Sequence, residues 1–347
     1  MTAAPPFIIL GLPRSRTAWI SRFLSYGGRK VGHDLAIDCA SVADFTKALG
    51  QHIGTVETGM AVAWPVLKRH FPESRFIVVR RDTAEVIASL AKFGISGVER
   101  EIEERAKAID QFSRRVGVMT IQYPSLTDIS VCAWLFQNCL GLNFDGGWWA
   151  ALNEVNIQVD VAAQIAKIAE NKERLDRFKQ EVRKRLPAEA SYTGAIISAE
   201  PFGSIWPECL ELAKAHWEEV ESETDPRRKL NLNRALLSQT SVQNSLKVFA
   251  ARLDGKLIGY LLWTIINDPE SMGLLIAEQG PWFVTPDAPN STALRMYERS
   301  INELKACGVK MIFPHHRTNG RGTGLGKFFV RRGAVPEKQV YSLWIGD

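Results

Sequence analysis

The sequence has no apolar run approaching the ~20 residues a helix needs to cross a bilayer, which excludes a membrane-spanning helix. Its opening, MTAAPPFIIL, lacks a basic segment ahead of the apolar run, so no secretory signal is expected there. Cysteine is scarce: Cys39, Cys132, Cys139, Cys209 and Cys307 are odd in number, scattered, and form no C-x-x-C pair. That argues against a disulfide framework and against a zinc site, and makes a reducing cytoplasm the expected location. Clustered basic charge is missing too. A net charge of +5 suits small anionic ligands and carries no direct nucleic-acid signature. No G-x-x-x-x-G-K-[ST] occurs, so there is no Walker A loop.

What is present describes a globular chain. Its 347 residues are 46% hydrophobic and 23% charged, enough for two domains. Near the start, Phe7–Leu10 is four apolar residues ended by Gly11, the pattern of a strand buried on both faces. Pro13, Arg14, Ser15, Arg16 and Thr17 follow at once. Trp19, Phe23 and Leu24 then keep helical spacing up to a Gly27-Gly28 stop. Strand, basic hydroxyl-rich turn and helix aim backbone N–H groups and a helix N-terminus at an anion. The competing reading is an ordinary strand-to-helix turn with solvated arginines.

A second such unit occupies residues 74–93. Phe76–Val79 reads as a buried strand that runs into Arg80-Arg81-Asp82, and Val86, Ile87 and Leu90 mark the next helix. In open α/β sheets ligands bind beyond the carboxyl ends of strands, so two basic strand ends are more informative than one. Arg81 and Ser89 lie eight residues apart, a guanidinium and a hydroxyl suited to one phosphate. Arg81 as a local salt-bridge partner and Ser89 as a helix-packing residue is the alternative.

Pro13-Arg14-Ser15-Arg16-Thr17-Ala18-Trp19 resembles the 5′-phosphosulfate loop of sulfotransferases, with Arg16 at the usual glycine and Ala18 at a usual hydroxyl. Arg81 and Ser89 resemble that family's 3′-phosphate site, and LFQNCLGLNFD (135–145) its "FLGL" segment. The resemblance covers about residues 5–150. It implies 3′-phosphoadenosine 5′-phosphosulfate (PAPS) or its product adenosine 3′,5′-bisphosphate (PAP) as nucleotide ligand. Pro13, Arg14, Ser15, Arg16, Thr17, Arg81 and Ser89 would hold it. His33 and Glu57 are the candidates for the base that takes the acceptor's proton, and either is equally readable as structural.

Residues 159–186 carry Val161, Ile165, Ile168, Leu175, Phe178, Val182 and Leu186 at helical spacing before Pro187. This predicts one long connecting helix, its apolar face docked or self-associating.

From Tyr192 the pattern changes. A strand at 195–198, helices at 207–221 and in NLNRALLSQTS, and two strands around Asp254-Gly255 are expected. Strands at 273–277 and 281–284, a helix with Leu294, Tyr297, Ile301 and Leu304, and strands at 310–314 and 340–345 follow. This order, with DGKLIGYLLW and INELKACGVKMIFPHHRTNGRGTGLGKFFVRRGAV, resembles the GNAT N-acetyltransferases, in wording nearest those of tailed phages and prophages. That resemblance implies acetyl-CoA as cofactor, bound at the segment Thr285–Thr292, where Ser291 is the remaining hydroxyl donor. Two prolines and Asp287 replace the glycines and arginine usual there. Phe328-Phe329 stands where the family often has a general-acid tyrosine, and Glu278 is a candidate base. Arg317–Gly322 spells R-x-x-G-x-G, but too near the chain's end for the remaining GNAT elements. His315 and His316 are adjacent and, as strand residues, would point to opposite faces, so no metal site is read.

The expectation is an α/β chain of two domains. Residues 1–158 form a parallel-sheet P-loop domain of the sulfotransferase type, 159–187 a helical connector, and 188–347 a GNAT-like mixed α+β domain. Three functions remain open. The first is PAPS-dependent sulfuryl transfer to an unknown acceptor. The second is a virion or assembly role for inactive enzyme folds, with other virion proteins as partners. The third is N-acetylation with acetyl-CoA. The location follows: the host cytoplasm if phage-encoded, or the virion.

Overall fold

In strand β1 (Phe7–Gly11) alternate side chains enter two different cores. Phe7 and Ile9 join one, Ile8 and Leu10 the other. The period of two sorts an all-apolar run onto both faces of a sheet covered on each side. The computed structural model describes residues 6–116, 118–155, 157, 159–186, 194–221, 230–289, 291–315 and 323–336.

The first sheet holds β1, β2 (Val31–His33), β3 (Gly54–Glu57), β4 (Arg75–Arg80) and β5 (Met119–Gln122). Its order is β2-β3-β1-β4-β5, and every pairing is parallel. β4 repeats the sorting of β1: Ile77 and Val79 face one core, Phe76 and Val78 the other. Helix α1 (Thr17–Leu24) buries Trp19, Ile20 and Phe23 in the first core. Helices α2 (Val42–Leu49), α3 (Trp64–His70), α4 (Thr83–Ala91) and α5 (Glu99–Val116) supply Phe45, Leu67, Val86 and Phe112 to the second. Helix α6 (Ile129–Leu140) is nearly all apolar because it is buried nearly all round, and α7 (Gly146–Asn153) follows it. Val31–His33 form the edge strand β2, so His33 sits at a strand end.

The expected single connector is two helices, α8 (Val161–Glu170) and α9 (Lys172–Arg185), divided at Asn171. Neither stands free. Phe178 and Val182 of α9 enter the second core, and Glu181 accepts the Val42 N–H at 3.0 Å. On α8, Lys167 pairs with Asp38 at 2.7 Å.

The second sheet runs β10-β9-β8-β7-β6. It comprises β6 (Ile196–Ala199), β7 (Leu246–Leu253), β8 (Lys256–Asn267), β9 (Leu275–Val284) and β10 (Met311–Phe313). β6 to β9 pair antiparallel, and β10 pairs parallel to β9. Asp254 and Gly255 both take positive φ (50° and 84°), the turn that a two-residue hairpin needs. The strands expected at 273–277 and 281–284 are one strand, β9, bulged where Gly280 and Pro281 together oppose Leu262. Helices α10 (Phe202–His216) and α11 (Arg234–Val242) precede β7. Helices α12 (Thr292–Ala306) and α13 (Thr323–Arg331) flank β10 in sequence.

The first core is continuous between the halves: Ala195, Ile197, Phe249, Trp263 and Tyr297 belong to the same cluster as Phe7 and Trp19. The Gln122 N–H donates to Ser204 Oγ at 3.1 Å and Arg114 to the Gly194 carbonyl, stitching the same seam. The strand expected at 340–345 lies outside the described residues, as do Arg317–Gly322 and His316. Among the described residues no helix is long and apolar enough to cross a membrane, and no group of three His, Cys, Asp or Glu is placed to hold a metal.

Candidate functional site

β1 ends at Gly11, and the chain turns sharply before α1. Arg14 (φ 65°) and Arg16 (φ 57°) both adopt the left-handed conformation that glycine takes without strain. Arg16 therefore holds a backbone conformation that glycine would adopt freely. Its side chain is held: Nη1 donates to the Leu126 carbonyl at 3.0 Å, Nη2 to Asn153 Oδ1 at 3.1 Å, and the guanidinium lies over the Trp19 ring. Ser15 is wholly buried, and its hydroxyl has no hydrogen-bond partner among the described residues.

β4 delivers the second set of donors beside the first, because β1 and β4 are neighbours in the sheet. Asp82 caps α4 by accepting the Glu85 N–H at 3.0 Å, which fixes the turn carrying Arg81. Arg81 donates through Nη1 to the Arg14 carbonyl, pairs with Glu85 at 3.3 Å, and lies flat on Tyr123, 3.9 Å from the ring centre. Two turns along α4, Ser89 Oγ accepts from Arg14 Nε at 3.2 Å. Pro13, Arg14, Arg16, Thr17, Arg81 and Ser89 thus border one cleft of about 790 Å³.

His33 borders the same cleft. Its Nε2 is 3.2 Å from Thr17 Oγ1, and its Nδ1 is 3.7 Å from Asp34 Oδ2. With the ring proton on Nδ1 toward Asp34, Nε2 is an acceptor and the Thr17 hydroxyl donates to it. Asp34 is buried at φ 51°. Its Oδ1 accepts from Thr58 N–H (2.7 Å) and Thr58 Oγ1 (2.9 Å), and its Oδ2 from Gln164 Nε2 of α8 (2.9 Å).

Glu57 is placed elsewhere. It is fully buried and borders a neighbouring cavity of about 440 Å³. Oε1 accepts from the Leu35 N–H (2.9 Å) and Thr55 Oγ1 (2.6 Å), and Oε2 from the Ala36 N–H (3.4 Å). Its carboxylate holds the turn after β2 rather than meeting the cleft. Burial, reinforced by the charge of Asp34, pushes its pKa up to about 8.

In the second half, Glu278 is exposed on β9, in register with Phe313 of β10. β10 ends at Phe313, and Gln279 Nε2 donates to the His315 carbonyl at 3.1 Å. Ser291 (φ 73°) stands at the N-cap of α12 with no side-chain capping bond. Asp287 lies five residues before Thr292, so an acidic residue precedes this helix. Phe328 and Phe329 pack against Tyr297.

Asp34, Tyr123, Asn153 and Gln164 are site residues that the sequence reading missed. Asp34 follows His33 directly, which was a usable signal. Nothing local marks the others, which arrive by tertiary packing.

No family model and no curated protein matches the chain. Solved structures similar to part of it include acetyltransferases. The ribosomal-protein-alanine N-acetyltransferase from Brucella melitensis biovar Abortus 2308 is 14% identical over 45% of this chain and 100% of that one, with a TM-score of 0.35. The aminoglycoside acetyltransferase HMB0005 from an uncultured soil metagenomic sample is 13% identical over 44% of this chain and 100% of that one, TM-score 0.37. A predicted acetyltransferase with acetyl-CoA from Clostridium acetobutylicum is 15% identical over 41% and 92%, TM-score 0.31. Likeness of this degree leaves function to the residues of the cleft.

Proposed function

We propose that the first half of the chain binds an adenosine nucleotide carrying 5′ and 3′ anionic groups, PAPS or PAP, as a sulfotransferase-like P-loop domain. The observation that carries this reading is the meeting of Arg14, Arg81 and Ser89 from two adjacent strand ends. Strand order supports it: β1 lies between β3 and β4, where the chain switches from one side of the sheet to the other. The donor set fits the ligand. Two guanidiniums, the hydroxyls of Thr17 and Ser89 and the start of α1 suit phosphate oxygens, and the unpartnered Ser15 hydroxyl leaves one further donor in the loop.

Bound PAPS would supply an activated sulfuryl group. The chain's own part is to position and to move a proton. Arg14 and Arg81 hold the anionic groups, and Thr17 and the α1 N-terminus face the charge that develops at the 5′ end. Once the Thr17 hydroxyl turns from His33 to the 5′ anionic group, His33 Nε2 is free to take the proton of an acceptor hydroxyl while Asp34 stabilises the ring as it becomes charged. Glu57 has no part in this step.

The test is a calorimetric comparison of PAP with adenosine 5′-monophosphate on the full chain. Tighter binding of PAP is expected, because only PAP offers a 3′-phosphate. Equal affinities would remove the reading.

A second reading, a GNAT-like N-acetyltransferase domain using acetyl-CoA, is favoured by one observation. In this otherwise antiparallel sheet β10 pairs parallel to β9, and β9 bulges against β8 at Gly280-Pro281, next to the end of that pairing. Ser291 and Glu278 would then be the cofactor contact and the base. Asp287 ahead of the helix and Phe328 beside Tyr297 weigh against turnover. Acetyl-CoA binding that Ser291→Pro abolishes would support this reading. A chain that binds neither PAP nor acetyl-CoA fits the virion or assembly role of inactive folds.

A further inference from the structure

The two halves of the chain enclose a second cavity, also of about 790 Å³. Its walls come from the ends of β4 and β5, from α5, from α10 and from the turn between β7 and β8. Small-molecule sites favour such seams between packed units, and their volumes run from about 300 to 1,000 Å³. Arg80 of β4 and Gln122 of β5 border this cavity and do not border the first cleft. They are partners in register, so their side chains leave the same face of two strands about 4.8 Å apart. Arg80 Nη2 meets Asp110 Oδ1 at 2.5 Å. Its Nη1 is buried and has no hydrogen-bond partner among the described residues, and the same holds for Gln122 Nε2. Two buried donors, one of them cationic, are costly without an acceptor. Side by side they suit the two oxygens of one carboxylate. Along the cavity wall as a whole, carboxylates outnumber guanidiniums, which opposes a simple anion and favours a ligand that also carries positive charge.

We propose that this cavity binds a basic amino acid or a short basic peptide, held by its carboxylate. The carboxylate accepts from Arg80 Nη1 and Gln122 Nε2, while Arg80 Nη2 keeps Asp110. The ligand's ammonium groups answer the excess of carboxylates in the wall, Asp82, Glu85 and Asp254 among them. A neutral apolar ligand would leave both donors unmet. Phosphate would supply acceptor oxygens and no positive charge. The site goes beyond the nucleotide reading and does not depend on it. Its wall includes Arg80 and Gln122 from the first half and Ser204, Glu208 and Arg252 from the second, so an occupant borders both.

The experiment is a calorimetric titration of the full chain with L-lysine, with L-lysyl-L-lysine, and with cadaverine, which is lysine without its carboxylate. Saturable one-to-one binding of lysine or the dipeptide is expected, about tenfold or more tighter than cadaverine, the worth of one charge-assisted hydrogen bond. Arg80→Lys keeps a cation for Asp110 and removes Nη1. Gln122→Glu keeps the side chain's shape, replaces its donor with a carboxylate, and leaves the main-chain bond to Ser204 in place. Each variant should weaken the tighter ligand by about tenfold or more. Melting temperatures check that the variants fold, and the cadaverine comparison needs only the wild-type chain. Binding of neither lysine nor the dipeptide, binding of cadaverine as tight as either, or binding that both variants retain overturns the site. Competitive displacement of the ligand by PAP would make the cavity part of the first cleft and equally overturns a separate site.

Discussion

Arg14 Nε lies 3.2 Å from Ser89 Oγ, across 75 residues of sequence. The contact joins the loop after β1 to the helix after β4, so the donors of both strand ends share one position. It also holds a guanidinium in place beside the cleft, which would lower the entropy lost in binding the proposed anion. Ser89→Ala should cost about 1 kcal/mol of stability, the worth of one hydrogen bond, and should weaken PAP by releasing Arg14. Urea unfolding and PAP titration of the variant measure the two effects separately.

The left-handed backbone at Arg16 makes a different prediction. Arg16→Gly and Arg16→Ala both lose the contacts to Leu126, Asn153 and Trp19. Only alanine keeps a Cβ at φ 57°. Arg16→Gly should therefore be more stable than Arg16→Ala by about 1 kcal/mol, the cost of a non-glycine residue in that region. Thermal melting of the two variants side by side reads the difference.

Glu57 gives a pH dependence. Its carboxyl titrates near 4.5 ordinarily and at about 8 when folded. Between these values the folded chain binds a proton that the unfolded chain has released. Glu57 therefore favours folding at low pH, and that contribution fades as pH rises through the window. Glu57→Gln removes the titration and should flatten this part of the stability curve. Urea unfolding of both proteins at about pH 5 and about pH 9 checks it. A loss of stability with pH no steeper in the wild type than in the variant would contradict the assignment.

Arg252 is buried and forms a two-bond pair with Glu200, at 2.9 and 3.0 Å. It also reaches Glu208 at 2.7 Å, tying α10 to the β7–β8 hairpin. Arg252→Met alone strands a buried carboxylate and should cost about 3–5 kcal/mol. Combining it with Glu200→Met should cost less than the sum of the two single changes. A double-mutant cycle in urea gives the coupling.

Much of the fold was legible because it is written locally. β1 and β4 are all-apolar runs, since both sheet faces are covered, and the Asp254-Gly255 turn needs no tertiary help. The basic, hydroxyl-rich turn after β1 was legible from composition. What escaped the sequence was set by packing. β2 is three residues long and too short to show a period. The connector breaks at Asn171, where no proline or glycine marks a stop, and its apolar residues serve two purposes. Phe178 and Val182 fill a core, whereas Ile165 and Ile168 line a cleft. Hydrophobic spacing alone does not separate these roles. Glu57 and His33 looked equivalent in sequence, and only the amide groups of Leu35 and Ala36 distinguish the structural carboxylate from the cleft residue. The core shared by the two halves was also invisible, because each half contributes residues that look like its own interior.

The most direct test of the account is a calorimetric titration of PAP into the full chain, the Arg14→Ala variant and the Arg81→Ala variant. PAP is also the nucleotide core of coenzyme A, so the variants are needed to locate the heat. The account predicts one saturable site whose affinity falls about tenfold to a hundredfold in each variant, the worth of one charge-assisted contact. Binding that both variants retain would place the nucleotide elsewhere, and no binding by the folded wild-type chain would contradict the nucleotide assignment outright.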